Sequence, residues 1–475
     1  MSELSKTIRF YCENIHLDNG ELAFGEVVCC QGEPLELHLG SKTAESLKLP
    51  EEAHIALGRF DPHVHFRESP LPTREEFEKL RRDGEEYESL SKAVTVGNQN
   101  YSVRSGCLAA LKSGVCCVGA MGNIPWSPVG SERHAQMQRH YSDNGLIPIV
   151  AWPRMEPDSK PVPGHEGKDF GSTFGGSGLT GTARQDMYQI WKGEAVSFHN
   201  DQPRTNETIQ DFKDREIPPD VLLHHQYFNG DTVLACQKET IEIAKEAGVS
   251  SLLARHIPTG PALQQILDTS KDVDFTMPAE AGLDYMYWNQ DRLLQQEESI
   301  ALINYRRPAH PTRQDQLSLI ELTRDTVRSG YPIFFGSDHA PHAKAAKAFQ
   351  NGLPGSPGTR NIEHSLQFYL ELQRNHGYTW QDIDFLASIN PAKHMAQYFK
   401  FPYEVGTMKT GAMANLHIFL PDEPYKVNEA SLANTLEDPE YHSALKDEKG
   451  LLGKTLFTVV NGKVWDAQNA ISAKN

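Results

Sequence analysis

The sequence is poor in cysteine and in positive charge, and each shortage excludes a class of protein. It has seven cysteines among 475 residues, and no two of them are spaced as Cys-x-x-Cys. A disulfide framework is therefore not expected, and we interpret the seven as reduced core residues. The 46 basic and 63 acidic residues give a formal charge of -17. This balance disfavours nucleic acid or an anionic membrane as the main partner.

Long apolar runs and phosphate-binding loops are also missing. No stretch of about 18 apolar residues occurs, and the first ten residues lack the apolar run of a secretory signal. These absences predict a cytoplasmic protein. The glycine-rich segment at 171–178 is not followed by Gly-Lys-Ser/Thr at the start of a helix, so we do not expect it to hold phosphate.

The central part of the chain contains an alternation of strand-like and helical segments. Apolar strand-like runs lie at residues 114–121, 146–151, 221–223, 251–253 and 332–336. The best marked helix between them starts at Asp231, a capping residue, and ends before Gly248. This alternation predicts parallel βα units and therefore an α/β sheet or barrel.

The two chain ends have a different pattern, with short β segments separated by turn residues. At the carboxyl end, strand-like runs at 415–420 and 455–460 lead into an Asn461-Gly462 hairpin turn. We predict that residues 1–57 and 405–475 form one composite small β domain, and that residues 58–404 form the catalytic domain.

Two segments are too long for simple connections. Residues 68–92 carry many charges and predict a solvated helix near the site. Residues 157–181 are rich in Gly, Ser and Pro, and they predict a loop.

The most informative short stretch is Asp61-Pro-His-Val-His-Phe-Arg67. On a strand, alternate residues share a face, so His63, His65 and Arg67 would point the same way. Neutral imidazole is the commonest metal ligand in proteins, and a guanidinium binds anions. Taken alone, the stretch also fits two structural histidines on a half-buried strand.

Three further strand-like runs end in side chains that bind metals. Asp338 and His339 follow the run that ends at 336, His224 and His225 follow 221–223, and His256 follows 252–254. In α/β barrels, reactive residues lie at the carboxyl ends of the strands. One metal centre accounts for all four strand ends, whereas structural roles would require four separate coincidences.

These motifs resemble those of a known family, the dihydroorotases of the amidohydrolase superfamily. The stretch from Asp61 to Arg67 and the later Asp338-His-Ala-Pro-His342 resemble the signature pair of that family. Weaker similarities occur, in the same order along the chain, at 121–125, 355–358 and 390–393. The resemblance covers the chain from about residue 58 to 420.

The resemblance implies a (β/α)8 TIM-like barrel with a small β-sandwich domain formed by the two chain ends. It also implies a site for two Zn²⁺ and the interconversion of N-carbamoyl-L-aspartate and L-dihydroorotate in pyrimidine biosynthesis. By this resemblance His63, His65 and Asp338 hold one zinc, while His224 and His256 hold the other. Asp338 would move the proton between the attacking water and the leaving nitrogen.

The resemblance further implies a ligand that bridges the two metals, which in this family is a lysine carboxylated on its amine. Lys192 is the best placed lysine, and Asp201 is the alternative because some relatives use an aspartate. His225 is adjacent to His224 and would face the opposite side of a strand, so only one of them can bind metal. We choose His224.

The substrate-binding residues implied by the resemblance are Arg67, Asn123 and His342. A guanidinium, an amide and an imidazole suit a small anionic cyclic amide. A hydantoinase, dihydropyrimidinase or allantoinase would use the same metal centre on another ring, and a catalytically silent homologue would keep the barrel as a scaffold. The sequence leaves the oligomeric state open, a homo-oligomer included.

Overall fold

The structure, a computed structural model, describes most of the chain. The described residues are 7–81, 84–157, 159–170, 181–200, 230–342, 344–348, 355–427, 443–446 and 448–467. The strands are β1 (Thr7–His16), β2 (Leu22–Cys30), β3 (Glu36–Leu39), β4 (Leu47–Lys48), β5 (His54–Leu57), β6 (Arg59–Val64), β7 (Val115–Ala120), β8 (Ile149–Ala151), β9 (Gly167–Asp169), β10 (Ala195–His199), β11 (Ser251–Ile257), β12 (Ala279–Gly282), β13 (Ile333–Gly336), β14 (Leu416–Pro424), β15 (Leu452–Val460) and β16 (Lys463–Asp466).

Helices connect most of the central strands. The α-helices are α1 (Arg74–Leu80), α2 (Tyr87–Asn100), α3 (Val103–Leu111), α4 (Gly130–Asn144), α5 (Gly181–Ile190), α6 (Gly230–Ala247), α7 (Gly260–Thr269), α8 (Gln290–Leu294), α9 (Glu298–Ile303), α10 (Arg313–Arg328), α11 (Lys344–Lys347), α12 (Ser365–Asn375), α13 (Trp380–Asp384) and α14 (Asn390–Met395). Short 3₁₀ turns at Leu283–Met286 and Ile362–His364 and a π turn at Phe385–Ile389 complete the described helical segments.

Strands from both chain ends form one eight-stranded sheet. Its order is β16-β15-β14-β5-β1-β2-β3, with β4 paired to β1. The two ends meet where β14 runs antiparallel to β5, with Leu416 opposite Leu57. Burial of the apolar side chains on this sheet joins the two ends of the chain. The domain boundaries at 57/58 and 404/405 stay predictions.

The central strands form the predicted parallel barrel. β6, β7 and β8 make one parallel sheet, and β9 to β13 make a second one in chain order. Parallel bridges from Val64 to His339 and from Arg154 to Lys168 connect the two sheets at both edges. Eight parallel strands therefore follow one another around a ring, and their carboxyl ends lie at one mouth.

The two long segments differ from their predictions in detail. Residues 68–92 contain α1 and the beginning of α2, and Thr73 with Glu76 forms a capping box at the start of α1. The loop predicted at 157–181 is partly wrong, because it contains the buried strand β9, which pairs with β10. The strand predicted at 221–223 lies outside the described residues.

The cysteines are reduced and most are buried, as their number and spacing predict. All seven cysteines are free thiols; Cys30 is partly exposed and the other six are buried. None of the described helices is long and apolar enough to cross a membrane.

Candidate metal centre

Five metal-binding side chains meet at the mouth of the barrel. His63 and His65 come from the end of β6, His199 ends β10, His256 lies near the end of β11, and Asp338 follows β13. All five are buried. Because parallel strands bring their carboxyl ends to one edge, residues far apart in sequence converge here.

The five side chains form two overlapping groups. One comprises His63, His65 and Asp338, and the other comprises His63, His199 and His256; in each group the ligand atoms lie within 4.8 Å of one another. A zinc ion contacts its ligands at about 2.0–2.2 Å, so ligand atoms on opposite sides of it are about 4 Å apart. Each group therefore has the span of a site for one cation.

In the neutral form of His63 and His65, the proton of each ring lies on Nδ1, and the metal-facing Nε2 carries none. His63 uses Nδ1 to contact Glu280 at 2.6 Å, and His65 uses Nδ1 to contact the amide oxygen of Asn123 at 2.8 Å. The Nε2 atoms of both rings face Oδ1 of Asp338, at 3.2 and 2.9 Å. A neutral imidazole carries one N–H, so in each pair two acceptors face each other. A cation between them would resolve this conflict.

His199 is oriented in the same way from the other side. Its Nδ1 donates to the backbone oxygen of Asp169 at 3.0 Å, and Phe170 stacks on its ring with centroids 4.6 Å apart. Nε2 of His199, Nε2 of His63 and Nδ1 of His256 are buried and have no hydrogen-bond partner in the described part of the chain. Buried polar atoms are normally satisfied, so unpaired nitrogens that converge fit a metal ion.

Two of the five residues have a left-handed backbone. His256 has φ of 36° and Asp338 has φ of 48°. Residues with a Cβ rarely adopt this region, and such conformations cluster at functional sites. Both residues lie at or just beyond a strand end, and both side chains belong to the converging groups.

Burial and neighbouring charges separate the pKa values of the imidazoles. Desolvation holds the pKa of His199 well below its usual range and lowers that of His256 to about 3, so both rings stay neutral. Burial alone would also lower the pKa of His63, but Glu280 and Asp338 raise it to about 9. The carboxylates of Glu280 and Asp338 therefore favour a positive charge at His63.

The carboxylates are in turn held by two buried arginines. Arg306 donates to Oδ2 of Asp338 at 2.9 Å and pairs with Asp284. Arg255 bonds Glu280 with one terminal nitrogen and Glu166 with the other. Because Arg306 occupies Oδ2, the other oxygen of Asp338 remains directed at the imidazoles.

The three residues expected to bind substrate lie around this centre. Nη2 of Arg67 contacts Nε2 of His342 at 3.1 Å. Desolvation and the Arg67 charge hold the pKa of His342 well below its usual range, so its ring is neutral and accepts from Arg67. Asn123 contacts His65. Substrate binding by these three residues stays a prediction.

The structure does not bring Lys192 into the centre. Lys192 is exposed in the turn that precedes β10, and the next residue hydrogen-bonds to Gly248. His199 ends the same strand, so about 13 Å of extended backbone separates the two ends of β10. Lys192 therefore lies at the wrong end of β10 to bridge the two metals, and the prediction of this role is wrong. His224, His225 and Asp201 lie outside the described residues.

Sequence reasoning missed His199 and Glu280. His199 follows the strand-like run Ala195-Val-Ser-Phe198, a signal similar to the one that identified His256, so it could have been found. Glu280 lies in Ala-Glu-Ala-Gly, which lacks the β-branched and aromatic residues typical of a strand. Its position inside the barrel could not be read from that pattern.

The proteins similar in sequence are named dihydroorotase, and the solved structures similar in fold are named hydantoinase or dihydropyrimidinase. No protein-family model matches it. The dihydroorotase of Aquifex aeolicus is 25% identical over 238 residues, 48% of this chain and 50% of that protein. The dihydroorotase of Clostridium acetobutylicum is 24% identical over 316 residues, 60% of this chain and 69% of that protein. The chain therefore spans about half the length of the Aquifex relative.

The solved structures that are similar cover nearly the whole chain. The L-hydantoinase (dihydropyrimidinase) from Arthrobacter aurescens superposes with a TM-score of 0.72 at 15% identity, covering 97% of this chain and 96% of that one. The D-hydantoinase (dihydropyrimidinase) from Thermus sp. gives a TM-score of 0.71 at 14% identity with the same coverage. The predicted similarity to the dihydroorotases is confirmed in sequence, and the predicted fold class is confirmed.

Proposed function

We propose that this chain is a metal-dependent hydrolase of cyclic amides, and specifically a dihydroorotase that interconverts N-carbamoyl-L-aspartate and L-dihydroorotate in pyrimidine biosynthesis. The convergence of His63, His199 and His256 with His65 and Asp338 supports the metal centre. The dihydroorotase names of the sequence relatives support the choice of ring. A cytoplasmic location is part of the same proposal.

Two zinc ions per chain are the proposed cofactor. His63, His65 and Asp338 would hold one ion, and His199 with His256 would hold the other, in the place that the sequence assigned to His224 with His256. Bound zinc lowers the pKa of a water molecule and polarises a carbonyl oxygen. Imidazole and carboxylate are ligands that zinc accepts, and the orphaned ring nitrogens fit this donor set.

Asp338 is the proposed catalytic residue. Its Oδ1 accepts the proton of the attacking water and passes it to the ring nitrogen that leaves, because Oδ2 is held by Arg306. Burial would raise the pKa of Asp338, but His63, His65 and Arg306 hold it well below its usual range, so it is ionised and able to accept. In the synthetic direction the same transfers reverse.

Arg67 is the proposed determinant of the ring. Its guanidinium can grip a carboxylate through two parallel hydrogen bonds, and neutral His342 next to it adds a further contact. L-Dihydroorotate carries a ring carboxylate, whereas hydantoin carries none. The overall negative charge of the chain would repel this anion, so a local cation is required to capture it.

The decisive experiment compares both substrates in wild type and Arg67→Ala. We expect wild type to hydrolyse dihydroorotate, and Arg67→Ala to raise KM for dihydroorotate at least about tenfold while changing KM for hydantoin little, since a charge-assisted bidentate pair contributes about 1.5–3 kcal/mol. Arg74→Ala is the matched control, because Arg74 is exposed on α1 and pairs with Glu88.

Three outcomes would change the assignment. Equal losses on both substrates, or turnover of hydantoin alone, would favour a hydantoinase or dihydropyrimidinase, which the names of the structural neighbours support. Less than one zinc per chain after gentle purification, with no turnover on adding Zn²⁺, would favour a silent scaffold.

A further inference from the structure

A glutamate inside the barrel contacts two of the candidate ligand residues at once. Glu280 lies on β12, between β11 and β13, and is fully buried. Its Oε1 accepts from Nδ1 of His63 at 2.6 Å and from the backbone N–H of His256 at 3.0 Å. We propose that Glu280 is a positioning residue that holds His63 and His256 in the geometry required to bind the metal. This inference rests on the proposed function.

The contact with His63 determines which nitrogen is available. A proton on Nδ1 is shared with Glu280, so Nε2 keeps its lone pair and points at Asp338. A carboxylate behind a metal-binding imidazole also makes the ring a stronger ligand. Without this acceptor the ring could rotate or carry its proton on Nε2, which would block the metal.

The contact with His256 fixes the backbone. His256 has φ of 36°, a conformation that needs support when the residue has a Cβ. The bond from its N–H to Glu280 supplies that support at a position where β11 and β12 shift register between Ala254 and Ile257. One carboxylate oxygen therefore sets the tautomer of one ligand and the direction of the other.

The second oxygen explains why a glutamine cannot replace this glutamate. Oε2 of Glu280 accepts from Nη1 of Arg255, whose other terminal nitrogen donates to Oε1 of Glu166 at 2.9 Å. All three groups around Glu280 are donors, two at Oε1 and one at Oε2. An amide would turn a donor toward either Arg255 or the histidines, and the buried arginine would lose one of its two counter-charges.

A glycine on the next strand leaves the space that this carboxylate occupies. A Cβ at Gly336 would lie 2.5 Å from Cδ and 2.7 Å from Oε1 of Glu280. Gly336 is on β13, opposite Gly282. A methyl group at this position would push the carboxylate away while leaving every ligand and the carboxylate itself in the sequence.

The test measures zinc affinity rather than turnover. Metal-free wild type, Glu280→Gln and Gly336→Ala would be titrated with Zn²⁺ against a chromophoric chelator, and Co²⁺ spectra would report the ligand geometry. We expect Glu280→Gln to lower zinc affinity about 10–100-fold and to alter the Co²⁺ bands, because outer partners of metal ligands have effects of this size. Gly336→Ala should change both in the same direction.

Asp384→Asn is the matched control. Asp384 is also a buried carboxylate bound by an arginine, Arg59, but its other partner is His16. It should leave zinc affinity within about twofold of wild type, because Asp384, Arg59 and His16 belong to neither group of converging ligands. If Glu280→Gln fails to fold by circular dichroism, Gly336→Ala carries the test.

The outcomes separate this inference from the proposed function. Folded Glu280→Gln or Gly336→Ala with wild-type zinc affinity and an unchanged Co²⁺ spectrum would overturn the positioning role. A loss of affinity in a protein that hydrolyses none of the cyclic amides would support the positioning role and refute the proposed activity. A wild type that binds no zinc would overturn both.

Discussion

Among the described residues, histidines pack together at the barrel mouth and in the sheet made by the chain ends, and of these two clusters the one at the barrel mouth has the features of a metal site. At the barrel mouth, ring nitrogens of His63, His199 and His256 converge. In the sheet made by the chain ends, His16 and His54 lie side by side, with Nε2 of the first 2.8 Å from Nδ1 of the second. Among the described residues, the sheet histidines form no group of three converging ligands.

The difference lies in where the ring nitrogens point. In the sheet, His417 contacts the hydroxyl of Thr455 at 3.0 Å, and its ring lies 4.7 Å from that of Phe419. These rings act as polar aromatic residues in a packed core. At the barrel mouth, backbone and side-chain acceptors occupy the outer nitrogens and direct the inner ones toward a shared point. The two clusters therefore differ in the partners and directions of their ring nitrogens, and the number of histidines does not distinguish them.

The largest predicted effect is the loss of one ligand. We expect His199→Asn to lower turnover of dihydroorotate by about a thousandfold or more and to reduce bound zinc, because a metal ion supplies several kcal/mol of transition-state stabilisation. His417→Asn should keep its zinc and its turnover per folded chain. Elemental analysis and initial rates on both purified variants make the comparison. Wild-type zinc content in His199→Asn would break the distinction between the clusters.

The second prediction concerns stability rather than rate. Adding Zn²⁺ to metal-free wild type should raise its melting temperature, and free zinc at 100 times Kd adds about 2.7 kcal/mol. The increase should be preserved in His417→Asn and much smaller in His199→Asn. Differential scanning calorimetry with and without zinc measures it. Identical increases in wild type and His199→Asn would show that zinc binds elsewhere.

The third prediction tests how tightly the sheet histidine is packed. A Cβ at Gly114, where φ is 80°, would lie 2.1 Å from the ring of His417. Gly330 has φ of 81°, and a Cβ there meets nothing within 4 Å in the described part of the chain. Gly330→Ala should lower the free energy of unfolding by about 1–2 kcal/mol, from backbone strain. Gly114→Ala should lower it by about 1–3 kcal/mol more, from overpacking.

Urea denaturation of the two glycine variants provides the measurement. Equal losses would mean that His417 moves aside easily, so the sheet cluster would have room to rearrange around a cation. A larger loss for Gly114→Ala would confirm that the ring is enclosed by the core and has no such freedom.

The sequence predicted those parts of the site that depend on short-range patterns. His63 and His65 alternate on one strand, and Asp338 ends another, so strand periodicity and the carboxyl-end rule were sufficient to bring them together. The composite sheet was predictable for a similar reason, since both ends have short alternating segments and hairpin turns.

The remaining features depend on long-range packing. Two runs, 195–198 and 221–223, are each followed by a histidine, and the short-range pattern does not say which histidine faces the other ligands. The structure uses the first of them for β10. Lys192 was the best placed lysine for the bridging ligand that the resemblance implies, but it lies at the end of this strand opposite to His199. The roles of Glu280 and Arg255 were not predicted, because charged side chains that pair between two buried strands contradict the apolar pattern by which such strands are recognised.

The smallest predicted effect is a pH dependence in the sheet. Burial, together with His16, lowers the pKa of His54 to about 4 from the usual 6.5. Between these values the unfolded chain binds more protons than the folded one, so stability falls as the pH drops from 6.5 to 4. For a partly exposed ring the loss should be on the order of 1 kcal/mol. His54→Gln should lose less stability than wild type over this window, as measured by urea denaturation of the metal-free proteins. Equal losses of stability in both proteins would show that groups other than His54 cause the acid sensitivity, and the two clusters would then not differ in this respect.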